Sequence, residues 1–273
     1  MIKFKSFDPS PGMSGLVHRY MLTEGFVPSE APLVMMMVPA LMEMLSFVLS
    51  NGVSTLHTNG KEIDTADAQV LGQYPTSFQV AVSGELKYLA VHIKSPGMFR
   101  LFNLPARRFT SNIATPLSEL IGKEAFALCE ELKAADSVEK AIERIESFLI
   151  SQLSKSNAKV HKSVEPALAF IQQSKGISIM EVAIHAHTSP RMLQKIFLKQ
   201  VGLSPKEYVK VTRFTQALRI IMNSESFSWK QIVHELGYFD QAHFINDFKS
   251  ISGQPPKEYF AAYPTAHKFF SDY

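Results

Sequence analysis

Two short stretches of the chain concentrate side chains suited to hydrogen bonding with a flat, polyanionic partner. The first carries Ser189, Pro190, Arg191, Gln194, Lys195 and Lys199; the second carries Gln241, Ala242, His243, Asn246 and Lys249. In both, polar residues recur at intervals of three and four, which puts them on one side of a helix with an apolar side opposite. Met192, Leu193, Ile196 and Phe197 make the expected buried stripe of the first helix, and Phe244 and Phe248 that of the second. A guanidinium such as that of Arg191 matches guanine O6 and N7, and an amide such as that of Gln194 or Asn246 matches an adenine edge. Ala242 suits a thymine methyl group. Lys195 and Lys199 suit phosphates, which give affinity without sequence information. Solvated surface is the alternative for any one of these residues.

Other chemistry is thinly supported. Nine histidines invite a metal site, but His18, His57 and His92 are scattered and no His-x-His with a following Glu lies in the first half. His185 and His187 stand two apart at a helix end and so point to different faces. There is no glycine-rich phosphate loop and no Gly-x-Ser-x-Gly elbow. Cys129, the only cysteine, sits beside Phe126-Ala127-Leu128, where a buried, inert thiol is expected, and it excludes an internal disulfide framework. No catalytic residue, no metal and no cofactor is therefore expected.

The elements that must position the two stretches form a repeat. Pro205-Lys206-Glu207-Tyr208 recurs as Pro256-Lys257-Glu258-Tyr259, an offset of 51 shared by Gly202 with Gly253, Phe197 with Phe248 and Leu193 with Phe244. Upstream the offset is 50, as for Val182 with Ile232 and Ala186 with Leu236, so the second copy holds one extra residue between its helices. Each copy reads as helix, tight turn, helix. Ser178 with Glu181 predicts a capping box for a helix through about His185, and Ser189 caps the next, with Pro190 in its first turn. Ser228 and Gln231 start the matching helix of the second copy, Gly237 suits its turn, and Asp240 caps the helix that follows. Between the copies, Ser204, Pro205 and Glu207 start one longer helix through Val211, Phe214, Leu218 and Ile221 to Asn223. At ~1.5 Å per residue it spans roughly 28 Å, close to the ~34 Å between successive major grooves on one face of a duplex.

The first half has a different texture. From Val17 to His92, short apolar runs alternate with turn signals at Pro28, Pro39, Asn51-Gly52, Asn59-Gly60, Gly72, Pro75 and Gly84, which predicts an antiparallel sheet or small barrel. Met35 to Met37 reads as the inside of a strand. Leu117 to Leu132 and Val138 to Leu153 read as amphipathic helices, the second opened by Asp136 and Glu139 as a capping box. These two helices could pair across a dimer or pack on their own half. Residues 1–154 hold 13 Lys+Arg against 16 Asp+Glu, and residues 155–273 hold 15 against 9, an acidic half joined to a basic one. The start is polar and broken by Pro9, and the run Leu33 to Leu49 is interrupted by Pro39 and Glu43, so neither a secretory signal nor a membrane span is expected.

At this point the residues point to a family. The run from Ile177 to Tyr263 resembles the DNA-binding domain of the AraC/XylS family of bacterial transcription regulators. The carrying residues are Val182-Ala183, Ser189, Leu193-Gln194-Lys195, Phe197, Gly202, Ser204-Pro205 and Tyr208. In the second copy they are Leu236-Gly237-Tyr238, Asp240-Gln241-Ala242-His243-Phe244, Phe248-Lys249, Gly253, Pro256 and Tyr259. Gly72-Gln73-Tyr74, Val91-His92-Ile93, Pro96-Gly97-Met98-Phe99 and Leu101 to Ala106 resemble the cupin-like sensory domain of some members. The sequence departs from the family pattern at His187, where glycine is usual, at Lys195 and Asn246, where arginine is usual, at Val233 in place of alanine, and at Pro255 in place of a capping Ser or Thr.

The resemblance implies an α+β protein. Residues 1–154 would be a cupin-like antiparallel β domain for sensing or dimerisation, 155–162 a linker, 163–263 an all-α domain of two helix-turn-helix units joined by a linker helix, and 264–273 a tail. It implies a cytoplasmic, sequence-specific regulator of transcription, an activator gated by a small-molecule effector, with double-stranded DNA and RNA polymerase as partners, a homodimer as a further one, and no membrane. A repressor, a first domain that only dimerises, and an enzyme with a DNA-binding appendage are the alternatives.

Overall fold

The computed structural model describes residues 2–39, 41–50, 54–58, 61–63, 67–110, 114–223 and 228–262. The Asn51-Gly52 and Asn59-Gly60 pairs and the 264–273 tail lie outside them. The fold is α+β, an antiparallel sheet followed by a helical region.

The first half supplies β1 (Lys3–Phe7), β2 (Val17–Val27), β3 (Leu33–Met37), β4 (Met42–Val48), β5 (Ser54–Thr58), β6 (Lys61–Ile63), β7 (Ala68–Leu71) and β8 (Phe78–Lys94). Helices α1 (Gly97–Phe102) and α2 (Arg107–Thr110) then lead to the short β9 (Thr115–Pro116). Every pairing is antiparallel, and β8 is the spine: β3 and β5 flank its first part, β2 and β4 its second. Side chains of a strand alternate between faces, and β8 uses both. Val80, Val82 and Leu86 pack with Val27, Leu33, Met35 and Met37. Leu89, Val91 and Ile93 have the opposite parity and feed a second core with Tyr20, Leu45, Phe47 and Val70. The expected turn at Gly84 is therefore corrected: β8 runs through it, with Val27 and Ser54 as its two neighbours.

Helices α3 (Ser118–Ile121), α4 (Glu124–Lys133) and α5 (Val138–Lys155) cover the second core. The run expected as one helix from Leu117 to Leu132 is broken at Gly122, which has φ +62°. The cap of α5 is Ser137 rather than Asp136, since its hydroxyl accepts from the Lys140 N–H at 3.2 Å. Asp136 pairs instead with the Lys140 ammonium. Cys129 is buried between α4 and the sheet, and burial pushes its thiol up to about 11.

The helical region comprises α6 (Val164–Gln173), α7 (Ile179–His185), α8 (Pro190–Gln200), α9 (Pro205–Asn223), α10 (Trp229–Glu235), α11 (Gln241–Ser252) and α12 (Pro256–Ala262). One core runs through it, and it includes Val38 from the sheet half, with Met36 and Leu41 packed against it. Two main-chain hydrogen bonds also join the halves. The Ala106 N–H donates to the Lys199 carbonyl and the Ser77 N–H to the Ile251 carbonyl, each at 2.7 Å. An Arg100–Glu165 ion pair adds a third link. Gly202, at φ +94°, admits α2 closely, because a Cβ there would stand 2.7 Å from Thr110 Cγ2.

Beneath this junction Glu43 is fully buried. Its Oε2 accepts from the Met98 N–H at 2.7 Å, yet burial outweighs these bonds and pushes the carboxyl up to about 8. His92, buried in the neighbouring part of the sheet, is pushed down to about 4 by burial and by the charges of Arg19 and His18. Folded His92 is neutral at pH 6.5 and at pH 8, and the unfolded imidazole, half protonated at 6.5, loses its proton by 8, a small contribution that opposes the larger one from Glu43. Glu43 then keeps its proton only in the folded chain, so folding stability falls as pH rises from 6.5 to 8. Denaturant titrations at the two pH values are expected to show that fall in the native chain and a flatter profile in Glu43→Gln.

Candidate nucleic-acid interface

The two repeated units share most of their local devices. In the first, Ser178 Oγ accepts from the Glu181 N–H at 3.2 Å while the Glu181 carboxylate accepts from the Ser178 N–H at 2.8 Å. In the second, Ser228 Oγ accepts from the Gln231 N–H at 3.1 Å, but the Gln231 amide donates forward to Glu235, so the reciprocal bond is missing. Both first helices end in the same six-to-one bond, Thr188 N–H to Ala183 O at 2.9 Å and Tyr238 N–H to Val233 O at 3.0 Å. That bond needs a left-handed residue before it. Gly237 supplies one at φ +67°, and His187 adopts φ +50° despite its side chain. The extra residue of the second copy is Phe239, 94% exposed in the turn, which spacing alone did not single out.

The second helices of the units, α8 and α11, are capped by Ser189 (hydroxyl to the Met192 N–H, 3.2 Å) and Asp240 (carboxylate to the His243 N–H, 2.7 Å). Leu193, Ile196, Phe197 and Gln200 face inward on α8. Met192, expected in this stripe, is 43% exposed. At about 100° per residue it lies beyond the arc centred near Leu193. Arg191 and Lys195, one turn apart, fall near the opposite ridge and are exposed, as are Ser189, Gln194 and Lys199, while Pro190 is half-buried. On α11, Phe244, Phe248 and Ile251 face inward, and Gln241, Ala242, His243, Asn246 and Lys249 are exposed. Ala242, Asn246 and Lys249 share its outer ridge.

Two of these residues have neighbours that bear on their use. The Lys199 ammonium stands 5.9 Å from the Phe99 ring centre, on the side facing α1. His243 Nε2 lies 3.8 Å from Asp247, which also takes the Lys210 ammonium at 3.6 Å, and its ring meets the edge of Tyr238. The Arg213 guanidinium lies over the same tyrosine at 5.2 Å. Lys210 and Arg213, both on α9, were missed because they belong to the spacer rather than to a repeated unit.

The joint between the units is closely packed. Tyr208, Val211, Phe214, Ala217 and Leu218 of α9 are buried, and its start is a complete capping box, Ser204 with Glu207. The repeat also duplicates an aromatic pair: Phe197 meets Tyr208 edge-on at 6.0 Å, and Phe248 meets Tyr259 edge-on at 5.5 Å. Each fastens the second helix of its unit to the helix that follows.

Residues 182–262 match the family model described as a helix-turn-helix domain. The HTH-type transcriptional regulator GbdR of Pseudomonas aeruginosa is 28% identical over 170 residues, 58% of this chain and 45% of that protein. The arabinose operon regulatory protein of Escherichia coli is 26% identical over 128 residues, 44% of each. The chain thus spans less than half the length of these curated relatives. The crystal structure of ToxT from Vibrio cholerae aligns over 95% of this chain and 97% of its own, with a TM-score of 0.46 and 13% identity.

A left-handed non-glycine residue costs about 1 kcal/mol. His187→Gly is therefore expected to raise unfolding free energy by up to about 1 kcal/mol, read by urea denaturation, and a loss of stability would refute strain at that turn.

Proposed function

We propose that this chain, whose C-terminal part is a helix-turn-helix domain of the AraC/XylS kind, is a sequence-specific DNA-binding regulator of transcription, acting in the cytoplasm as an activator gated by a small-molecule effector. The observation that carries the reading is the pairing of two capped, outward-facing helices on one 19-residue spacer, α9. A spacer of roughly 28 Å suits two probes that enter successive major grooves about 34 Å apart. Functionally the chain divides as sensing residues 1–154, a linker 155–162 and DNA-binding residues 163–263.

In this reading Arg191 addresses a guanine edge, Gln194 and Asn246 adenine edges, and Ala242 a thymine methyl. Lys195 and Lys249 hold phosphates, and Ser189, Pro190, Gln241 and His243 line the entry of the two helices. Lys199 serves the phosphate backbone only from the flank that faces α1. RNA polymerase is the protein partner of an activator, and the exposed apolar pair Met180 and Ile184, one turn apart on α7, supports a protein contact there. Exposed Phe126 and Ile150, on α4 and α5, support a second copy as a further partner. No helix among the described residues is long and apolar enough to cross a membrane.

Fluorescence anisotropy on duplexes selected from random DNA tests the assignment. With about six phosphates neutralised, log K is expected to fall against log salt with a slope near −5. Lys195→Ala should weaken all duplexes alike and reduce that slope. Arg191→Ala should cost about 1–3 kcal/mol and also flatten preference at one base pair. Salt-insensitive or undetectable binding to every duplex overturns the reading.

A further inference from the structure

Exposed cations gather where the first half and the linker meet the last turn of α8. The Ala106 N–H donates to the Lys199 carbonyl at 2.7 Å and the Thr110 hydroxyl to the Gly202 carbonyl at 3.4 Å, so α2 lies against that end of the helix. Gln200 holds the linker there as well. Its amide oxygen accepts from the His161 N–H at 2.9 Å, and its amide nitrogen donates to the Lys159 carbonyl at 3.1 Å. Lys159 and Lys199 carry these bonded carbonyls, Arg107 and Lys162 stand next to bonded residues, and the side chains of all four are exposed. The linker 155–162 holds three lysines and no acid. Acids on the adjoining helices are engaged: Glu165 pairs with Arg100, Glu119 lies 3.9 Å from Arg108, and Glu207 accepts from the Ser204 N–H at 2.8 Å.

Cations beside a helix C-terminus answer its dipole. At this end, however, the carbonyls of Phe197 and Lys199 are already hydrogen-bonded, to Val201, Gly202 and Ala106. Like charges gathered at one place repel one another, and the repulsion is relieved when an anion lies among them. The row Arg191, Lys195, Lys199 runs along α8 at intervals of four and leads into the patch. A helix lying in a major groove emerges past the phosphates that bound the groove, so cations round its end fall on the sugar-phosphate backbone. The Lys199 ammonium, 5.9 Å from the Phe99 ring centre, leans toward the first half and joins the patch.

We propose that Arg107, Lys159, Lys162 and Lys199 form a phosphate-binding margin beside α8, so that the first half and the linker hold the duplex together with the first helix-turn-helix unit. The inference rests on the reading of the chain as a DNA-binding regulator and adds a contact outside the two units. Because α2 bears Arg107, the seating of the first half against α8 enters DNA affinity directly.

The test uses the full chain and a duplex selected from random DNA, with affinity followed by anisotropy across a salt series. Arg107→Gln with Lys162→Gln should weaken every duplex alike and flatten the salt slope by about 2, about 1 for each cation removed. Lys87→Gln with Lys123→Gln, exposed elsewhere on the first half, removes the same charge and should leave the slope unchanged. An iron–EDTA reagent attached through Arg107→Cys should cut the backbone at the edge of the first unit's site, and buried Cys129 escapes labelling. An unchanged slope in the first double variant, an equal change in both double variants, or no cutting by the reagent overturns the margin. Urea denaturation accompanies the binding: a lower midpoint with an unchanged slope makes these cations supports of the α8 end and overturns the proposal too. Lys195→Ala is measured in parallel. If it flattens the slope while Arg107→Gln with Lys162→Gln does not, only the margin falls; if the native chain binds no duplex, the regulator reading falls and the margin with it.

Discussion

Two helices borne on one polymer keep a constant separation only if what joins them does not bend. A free 19-residue helix is marginal in water, because nucleation costs more than a few turns return. Here α9 is supported by burial along its length: Tyr208, Val211, Phe214, Ala217, Leu218 and Ile221 all enter one core shared with both flanking units. The Val, Phe, Leu and Ile side chains among them each contribute about 1.5–3 kcal/mol relative to exposure. The separation of α8 from α11 follows from the helical rise along α9 and from the continuous apolar seam beneath it. Phe197 against Tyr208 ties α8 to α9, and Phe214 against Phe248 ties α11 to it.

That architecture was legible because its signals are local. Ser178, Ser189, Ser204, Ser228 and Asp240 lie next to the helices they start, and each sits where its spacing to the next polar or acidic residue put it. The period of the repeat announced the shared aromatic and glycine positions before any contact was known. Met192 was misplaced for a local reason too: apolar character alone does not say how wide an inward arc is, and four other residues fill this one. Ser137 displaced Asp136 because a Ser one position closer to the helix offers the same oxygen with a better reach.

What the residues could not disclose is what lies far apart in the chain. Gly84 looked like a turn because glycine usually marks one, and only the pairing of β8 with four other strands shows it to lie inside the longest strand. Glu43 interrupts an apolar run and gives no sign of its partner Met98, 55 residues on. Val38 reads as an ordinary strand-end valine and proves to be a plug in the core of the other half. Lys199 has the spacing of a phosphate contact, yet its ammonium stands by Phe99, a hundred residues earlier. Such meetings depend on how a sheet and a helical bundle dock, and periodicity within either carries no record of it.

The docking itself uses backbone atoms on both sides, an amide of Ala106 or Ser77 and a carbonyl of Lys199 or Ile251. Peptide groups are common to every residue except that proline lacks the hydrogen. These hydrogen bonds are thus independent of side-chain identity at those four places, although Ala106 and Ile251 are themselves buried. Substitutions on the outer surfaces of α8 and α11 leave these main-chain contacts between the halves untouched.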